Sequence, residues 1–200
     1  MAWDKKIVLG TLVLLVFILV VRASWKSSPP ATNPGLVNTT VLILRHAEKP
    51  DDGPKLSEQG IARAQAYVPY FTATGQQTGE PGIGYIFASS DSPQSERPRL
   101  TIEPTALALG LKVDQRFRSK DTAELALELR RHRYGSKVLV VWHHGQIAHL
   151  LESLGGKPKH FWADEHWPDD NFNHVLKLKF NERGELISTT FEKIKLLPSD

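Results

Sequence analysis

The sequence predicts an α/β domain: a three-layer α/β/α sandwich with a mainly parallel sheet and helices on both faces, preceded by an N-terminal hydrophobic helix. Three observations carry this expectation. Short, β-branched apolar runs of strand length recur along the chain. Longer segments with helix start and stop residues separate them. Strands divided by helices in this way pair side by side, and the helices cover the sheet.

The elements follow in order. Residues 1–23 form an N-terminal segment unlike the rest: Lys5-Lys6, then an apolar run from Ile7 to Val21, then Arg22, Ser24 and Lys26. As a helix the run spans roughly 22 Å, against about 30 Å for a hydrocarbon core. Flanking Trp3, Trp25 and the lysines would anchor it at the interface. All faces are apolar, so a core helix does not fit. The segment reads as a single-pass membrane anchor, with a secretory signal cleaved near Ala23 as the alternative. Charges on the two sides nearly balance, which leaves orientation open. The tripeptide Asn38-Thr39-Thr40 is a glycosylation acceptor pattern and leans toward an extracytoplasmic domain.

Residues 24–38 hold Ser27, Ser28, Pro29, Pro30, Asn33, Pro34 and Gly35, a linker composition. The domain is expected over 39–200. Thr40–Leu44 reads as a buried strand. Ser57 caps a helix to about Phe71, with Ile61, Ala64, Ala66 and Val68 toward the core. Tyr85–Ala88 is a second strand, and a helix from Ser95 to Leu109 stops at Gly110. Thr122–Arg133 is helical and ends before Gly135. Val138–Trp142 is a third strand, and Ile147–Leu154 a helix closed by Gly155-Gly156. Val175–Phe180 and Ile187–Ile194 alternate and form a terminal pair joined by a turn at Asn181–Gly184.

Bulk properties narrow the function. Lys+Arg 25 against Asp+Glu 22 gives a net charge of +3, and no basic block appears, which argues against nucleic acid. The chain has no cysteine, so disulfides, thiolate metal sites and a cysteine nucleophile are excluded. His144 and His149 miss the spacing of a helical zinc pair, and neither a metal nor a cofactor is expected.

In open α/β sheets, ligands bind beyond the carboxyl ends of the strands. Arg45-His46-Ala47-Glu48 follows the first strand, Arg97 comes after the second, and His143-His144-Gly145 follows the third. Two arginines and two histidines at one edge suit a phosphoryl group. Guanidinium forks match phosphate oxygens, a neutral imidazole can attack phosphorus, and a second imidazole can donate to the oxygens. Arg97 is preferred over Arg99 because Thr101 lies four residues on, along the same face.

These residues also carry a resemblance. Arg45-His46-Ala47-Glu48 at a strand end is similar to the Arg-His-Gly signature of the histidine phosphatase superfamily, with its phosphoglycerate-mutase-like fold. Leu56-Ser57-Glu58-Gln59-Gly60, Arg97 with Thr101 and Pro104, and Val138 to Gly145 resemble further segments of that family. Together they span roughly residues 40 to 155. The resemblance implies a phosphatase acting on phosphomonoesters. His46 would become phosphohistidine, Arg45 and Arg97 would hold the phosphoryl oxygens, and His144 would complete the pocket. His144 is favoured over His143 because it precedes Gly145, and because strand alternation turns neighbours to opposite faces.

Two departures stand out. Ala47 replaces the signature glycine. Gln146 follows His144-Gly145, so the His-Asp pair of acid phosphatases and phytases is missing. The acid for the leaving group is therefore open, with Glu48 the first candidate and Asp121 the second. The aromatic stretch 160–172 packs over the sheet edge or forms a substrate rim. The alternatives to a phosphatase are a mutase and an inactive phosphate-binding scaffold. The partner is a phosphorylated substrate whose identity the residues do not specify.

Overall fold

The structure, a computed structural model, describes residues 34–78 and 81–200. The expected anchor over 1–23 and most of the expected linker lie outside the described residues. Among the described residues, no helix is long and apolar enough to cross a membrane.

Six strands form one mixed sheet: β1 (Thr40–Arg45), β2 (Tyr85–Ala88), β3 (Val113–Asp114), β4 (Lys137–Trp142), β5 (His174–Phe180) and β6 (Leu186–Lys193). Their order is β3-β2-β4-β1-β5-β6. The first four are mutually parallel, while β5 runs antiparallel to β1 and β6 antiparallel to β5. The sheet is thus parallel on the side that carries the helical crossovers and antiparallel where a short turn at Asn181–Gly184 joins β5 to β6. Gly184, at φ 71°, supplies the left-handed residue this turn needs.

Three helices connect the parallel strands, α1 (Glu58–Thr78), α2 (Arg97–Leu109) and α3 (Thr122–Arg131), and a fourth, α4 (His144–Ser153), leads from β4 toward β5. Alternation along β1 sends Leu42 and Leu44 into one apolar cluster with Tyr67 and Phe71 of α1 and Ile102 and Ala106 of α2. It sends Val41 and Ile43 into another with Leu125 and Leu129 of α3 and Leu150 and Leu151 of α4. Helices therefore cover both faces, as the sequence predicts.

Three local expectations need correction. Ile61 is 54% exposed, and the buried face of α1 is Arg63, Ala64, Tyr67 and Phe71. Arg63 turns inward because Glu48 and Asp200 neutralise it there. Residues 34–38, expected in the linker, belong to the folded unit. Pro34–Leu36 forms a 3-10 turn, and Leu36 is fully buried against α3 and the sheet. Finally, α4 starts at His144, three residues before the expected start, so the chain leaves its strand at Trp142.

Candidate active site

The parallel pairing of β1 with β4 builds the site. Their register ends at Arg45 opposite Trp142. The next residues on each chain, His46 and His143, therefore lie side by side, and the His46 N–H donates to the Trp142 carbonyl at 3.0 Å. The two imidazole centroids are 5.2 Å apart and meet edge to face. His144 is the first residue of α4, and its ring lies 6.3 Å from that of His46.

His143 therefore faces the pocket, contrary to the strand-alternation argument. Alternation would hold only for a chain extended through residue 144. Here His143 is the residue preceding a helix, and the turn brings both histidines to the same side. The signal that could have found it is the register itself: the residue after the apolar run of β4 lies beside the residue after the run of β1.

His46 is 3% exposed. Its Nδ1 lies 2.7 Å from the Ala47 carbonyl, which can only accept, so Nδ1 carries the hydrogen. In the neutral ring this leaves a lone pair on Nε2. Burial, with the charges of His143, Arg45 and Arg97 adding to it, lowers the His46 pKa to about 3. The same causes, burial first and then Arg97, lower that of His143 to about 4. Burial also lowers that of His144.

Arg45 is 3% exposed and stacks on the Phe172 ring, 3.8 Å from its centroid. Its Nη1 donates to the Pro168 carbonyl at 3.0 Å and to that of Asp169. Burial brings its pKa down to about 10, so it remains a cation at neutral pH. Its Nε is buried without a protein partner. Arg97 lies at the start of α2, half-buried. It donates to the Gly53 carbonyl at 3.0 Å and to that of Gln94 at 3.3 Å, and its Nε likewise lacks a partner. Arg99 pairs with Asp91, Glu96 and Glu103 on the surface.

The motif residues between these groups fix the turn that carries His46. The Thr101 hydroxyl accepts from the Ala47 N–H at 2.8 Å and donates to the Arg97 carbonyl at 2.7 Å. One buried threonine thus links the turn that carries His46 to the helix that carries Arg97. Gly60 is needed for close approach, since a Cβ there would lie 2.4 Å from the Glu48 carbonyl oxygen. The Ser57 hydroxyl accepts from the Gly60 N–H at 3.1 Å, which caps α1. Ala47, where the signature has glycine, is fully buried beside Leu56 and Ala64, and its methyl fills a small apolar cluster.

Neither sequence candidate for the acid is placed to give a proton. Glu48 is 8% exposed, and both its oxygens accept from Arg63 at 2.7–3.0 Å. Arg63 is held in turn by Asp200. Glu48 is a structural partner of a buried guanidinium. Asp121 is tied to the side chain and backbone of Arg118, and these hydrogen bonds lower its pKa. The aromatic stretch mainly packs: Trp162 and Trp167 are buried in the core. Its end, Pro168–Phe172, reaches the pocket. There Asp169 Oδ1 lies 2.9 Å from His144 Nε2, a contact that sequence reasoning missed.

No family model matches the chain, and no curated protein matches it. Solved structures do. Phosphoglycerate mutase from Plasmodium falciparum aligns with TM-score 0.53 and 12% identity, over 81% of this chain and 95% of that one. The protein histidine phosphatase SixA complexed with tungstate aligns with TM-score 0.51 and 17% identity, over 77% and 94%. Phosphoserine phosphatase from Entamoeba histolytica, a mutant bound to phosphoserine, aligns with TM-score 0.51 and 15% identity, over 76% and 96%. At these identities the likeness is one of fold. The chain has the α/β fold that these phosphatase and mutase structures share.

Proposed function

We propose, from this fold and this pocket, that the chain is a phosphatase that hydrolyses phosphomonoesters through a phosphohistidine on His46. One observation carries the reading: a buried, neutral imidazole has its Nδ1 hydrogen committed to the Ala47 carbonyl and its Nε2 lone pair free, with Arg45 and Arg97 close enough to depress its pKa. Nε2 attacks phosphorus and the ester oxygen departs. The two guanidinium groups, with His143 as a further hydrogen-bonding group, take up the charge on the equatorial oxygens, and His144 completes the pocket. Water then attacks phosphorus and returns the electron pair to Nε2.

The test uses the full chain with a generic aryl phosphate, with and without His46→Ala. Turnover should fall on the order of a thousandfold or more in the variant. Rapid quenching in base should trap acid-labile phosphate on the unmodified chain only. Equal turnover by both chains would overturn the proposal. A mutase would use the same intermediate; release of inorganic phosphate without an added acceptor separates the two chemistries.

A further inference from the structure

The pocket has a nucleophile and cationic groups for phosphate, but the groups described so far offer no proton for a departing alkoxide. His46, His143 and His144 all have lowered pKa values and are neutral near pH 7. Arginine does not act as an acid there. Glu48 is closed off by Arg63, and Asp121 by Arg118. A phosphomonoester with an alkyl leaving group needs such a proton; one with a good aryl leaving group does not.

We infer that Asp169 is the acid that protonates the leaving oxygen, presented to the pocket by His144 and Arg45. This rests on the phosphatase reading above. Two attachments fix its place. Its backbone carbonyl accepts from Arg45 Nη1, and its Oδ1 lies 2.9 Å from His144 Nε2. The anchor is firm, because Arg45 is buried and sandwiched between this segment and the Phe172 ring. The carboxylate itself stays open: its side chain is 90% exposed. One oxygen is thus oriented by an imidazole N–H while the other can carry a proton toward an incoming ester. Asp170, next in sequence, also acts on Arg45, but only through its charge.

The proton balance closes. In the first step the His46 Nε2–P bond forms and the P–O ester bond breaks. Asp169 Oδ2 gives its proton to the departing oxygen, leaving an alcohol and a carboxylate. In the second step the carboxylate takes a proton from water as the water oxygen bonds to phosphorus. The P–N bond breaks, its electron pair returns to Nε2, and Asp169 is again protonated as phosphate leaves.

The experiment compares the full-length chain with Asp169→Asn on two esters, p-nitrophenyl phosphate and an alkyl phosphate such as phosphoserine. Asparagine keeps the acceptor oxygen for His144 and cannot give a carboxyl proton. We expect kcat/KM to fall less than about threefold on the aryl ester and about a hundredfold or more on the alkyl ester. Rapid-quench labelling of His46 by the aryl ester should persist in the variant, which reports a folded pocket. An equal loss on both esters, an unchanged alkyl rate, or lost labelling would each overturn the assignment and leave the phosphatase reading standing. If the unmodified chain hydrolyses neither ester, the phosphatase reading fails and this inference falls with it.

Discussion

His46 and His143 are held as neutral imidazoles, and the energetic consequence falls on the folded state. Their folded pKa values, about 3 and about 4, lie below the ordinary 6.5. The unfolded chain therefore binds protons that the folded chain refuses. Their contribution to stability is complete above about pH 6.5 and is lost as pH falls toward 4 and then 3. The slope approaches about 1.4 kcal/mol per pH unit for each histidine. Urea midpoints at pH 7 and pH 4.5 check this: the drop should be smaller in His143→Gln than in the unmodified chain, and an equal drop would count against it. For the same reason, protonation of His46 should not limit turnover between pH 5 and 8. Glu48 belongs to the same scale. Its bidentate pairing with Arg63 makes Glu48→Gln destabilising by about 3 kcal/mol. With Asp169 as the proposed acid, the variant should show the same ratio of aryl to alkyl ester rates as the unmodified chain. The sequence made Glu48 a candidate because it lies two residues from His46. It could not show that Arg63, fifteen residues on, occupies both oxygens.

At the scale of elements, the site depends on how α1 and α2 meet the turn after β1. Ser57, Gly60 and Thr101 all act there, and all were singled out as motif positions. Thr101→Val leaves the Ala47 N–H unsatisfied inside the protein and should cost about 1–3 kcal/mol. It should also lower turnover by loosening the turn that carries His46; thermal melting with kinetics on one preparation checks both. Gly60→Ala forces the start of α1 away from the Glu48 backbone and should cost a similar amount. The helices themselves were legible from caps and glycines, including the left-handed Gly110 that ends α2 at φ 66°. The inward face of α1 was not. A hydrophobic scale places Ile61 inside and Arg63 outside, whereas the paired carboxylates reverse the two. The start of α4 was also misplaced, because His144 and Gly145 give no strong capping signal.

At the scale of the molecule, the domain includes the 3-10 turn at its N-terminal edge. Leu36 is fully buried among Leu125, Leu129 and the sheet, so Leu36→Ala should cost about 2–5 kcal/mol by chemical denaturation. An apolar anchor at Ile7–Val21 predicts that the full chain sediments with membranes and a chain of residues 34–200 does not; identical fractionation would remove the anchor. The sequence by itself determined the α/β class, most strand and helix positions, and the arrival of Arg45, His46, Arg97 and His143-His144 at strand ends. These are local properties, written in periodicity and in turn residues. Only the tertiary structure decided which groups meet. The parallel register of β1 with β4 sets His143 beside His46, Arg63 takes Glu48, and Asp169 comes from the loop before β5 to His144. Such pairings rest on contacts between residues distant in sequence, and no local pattern encodes their partner.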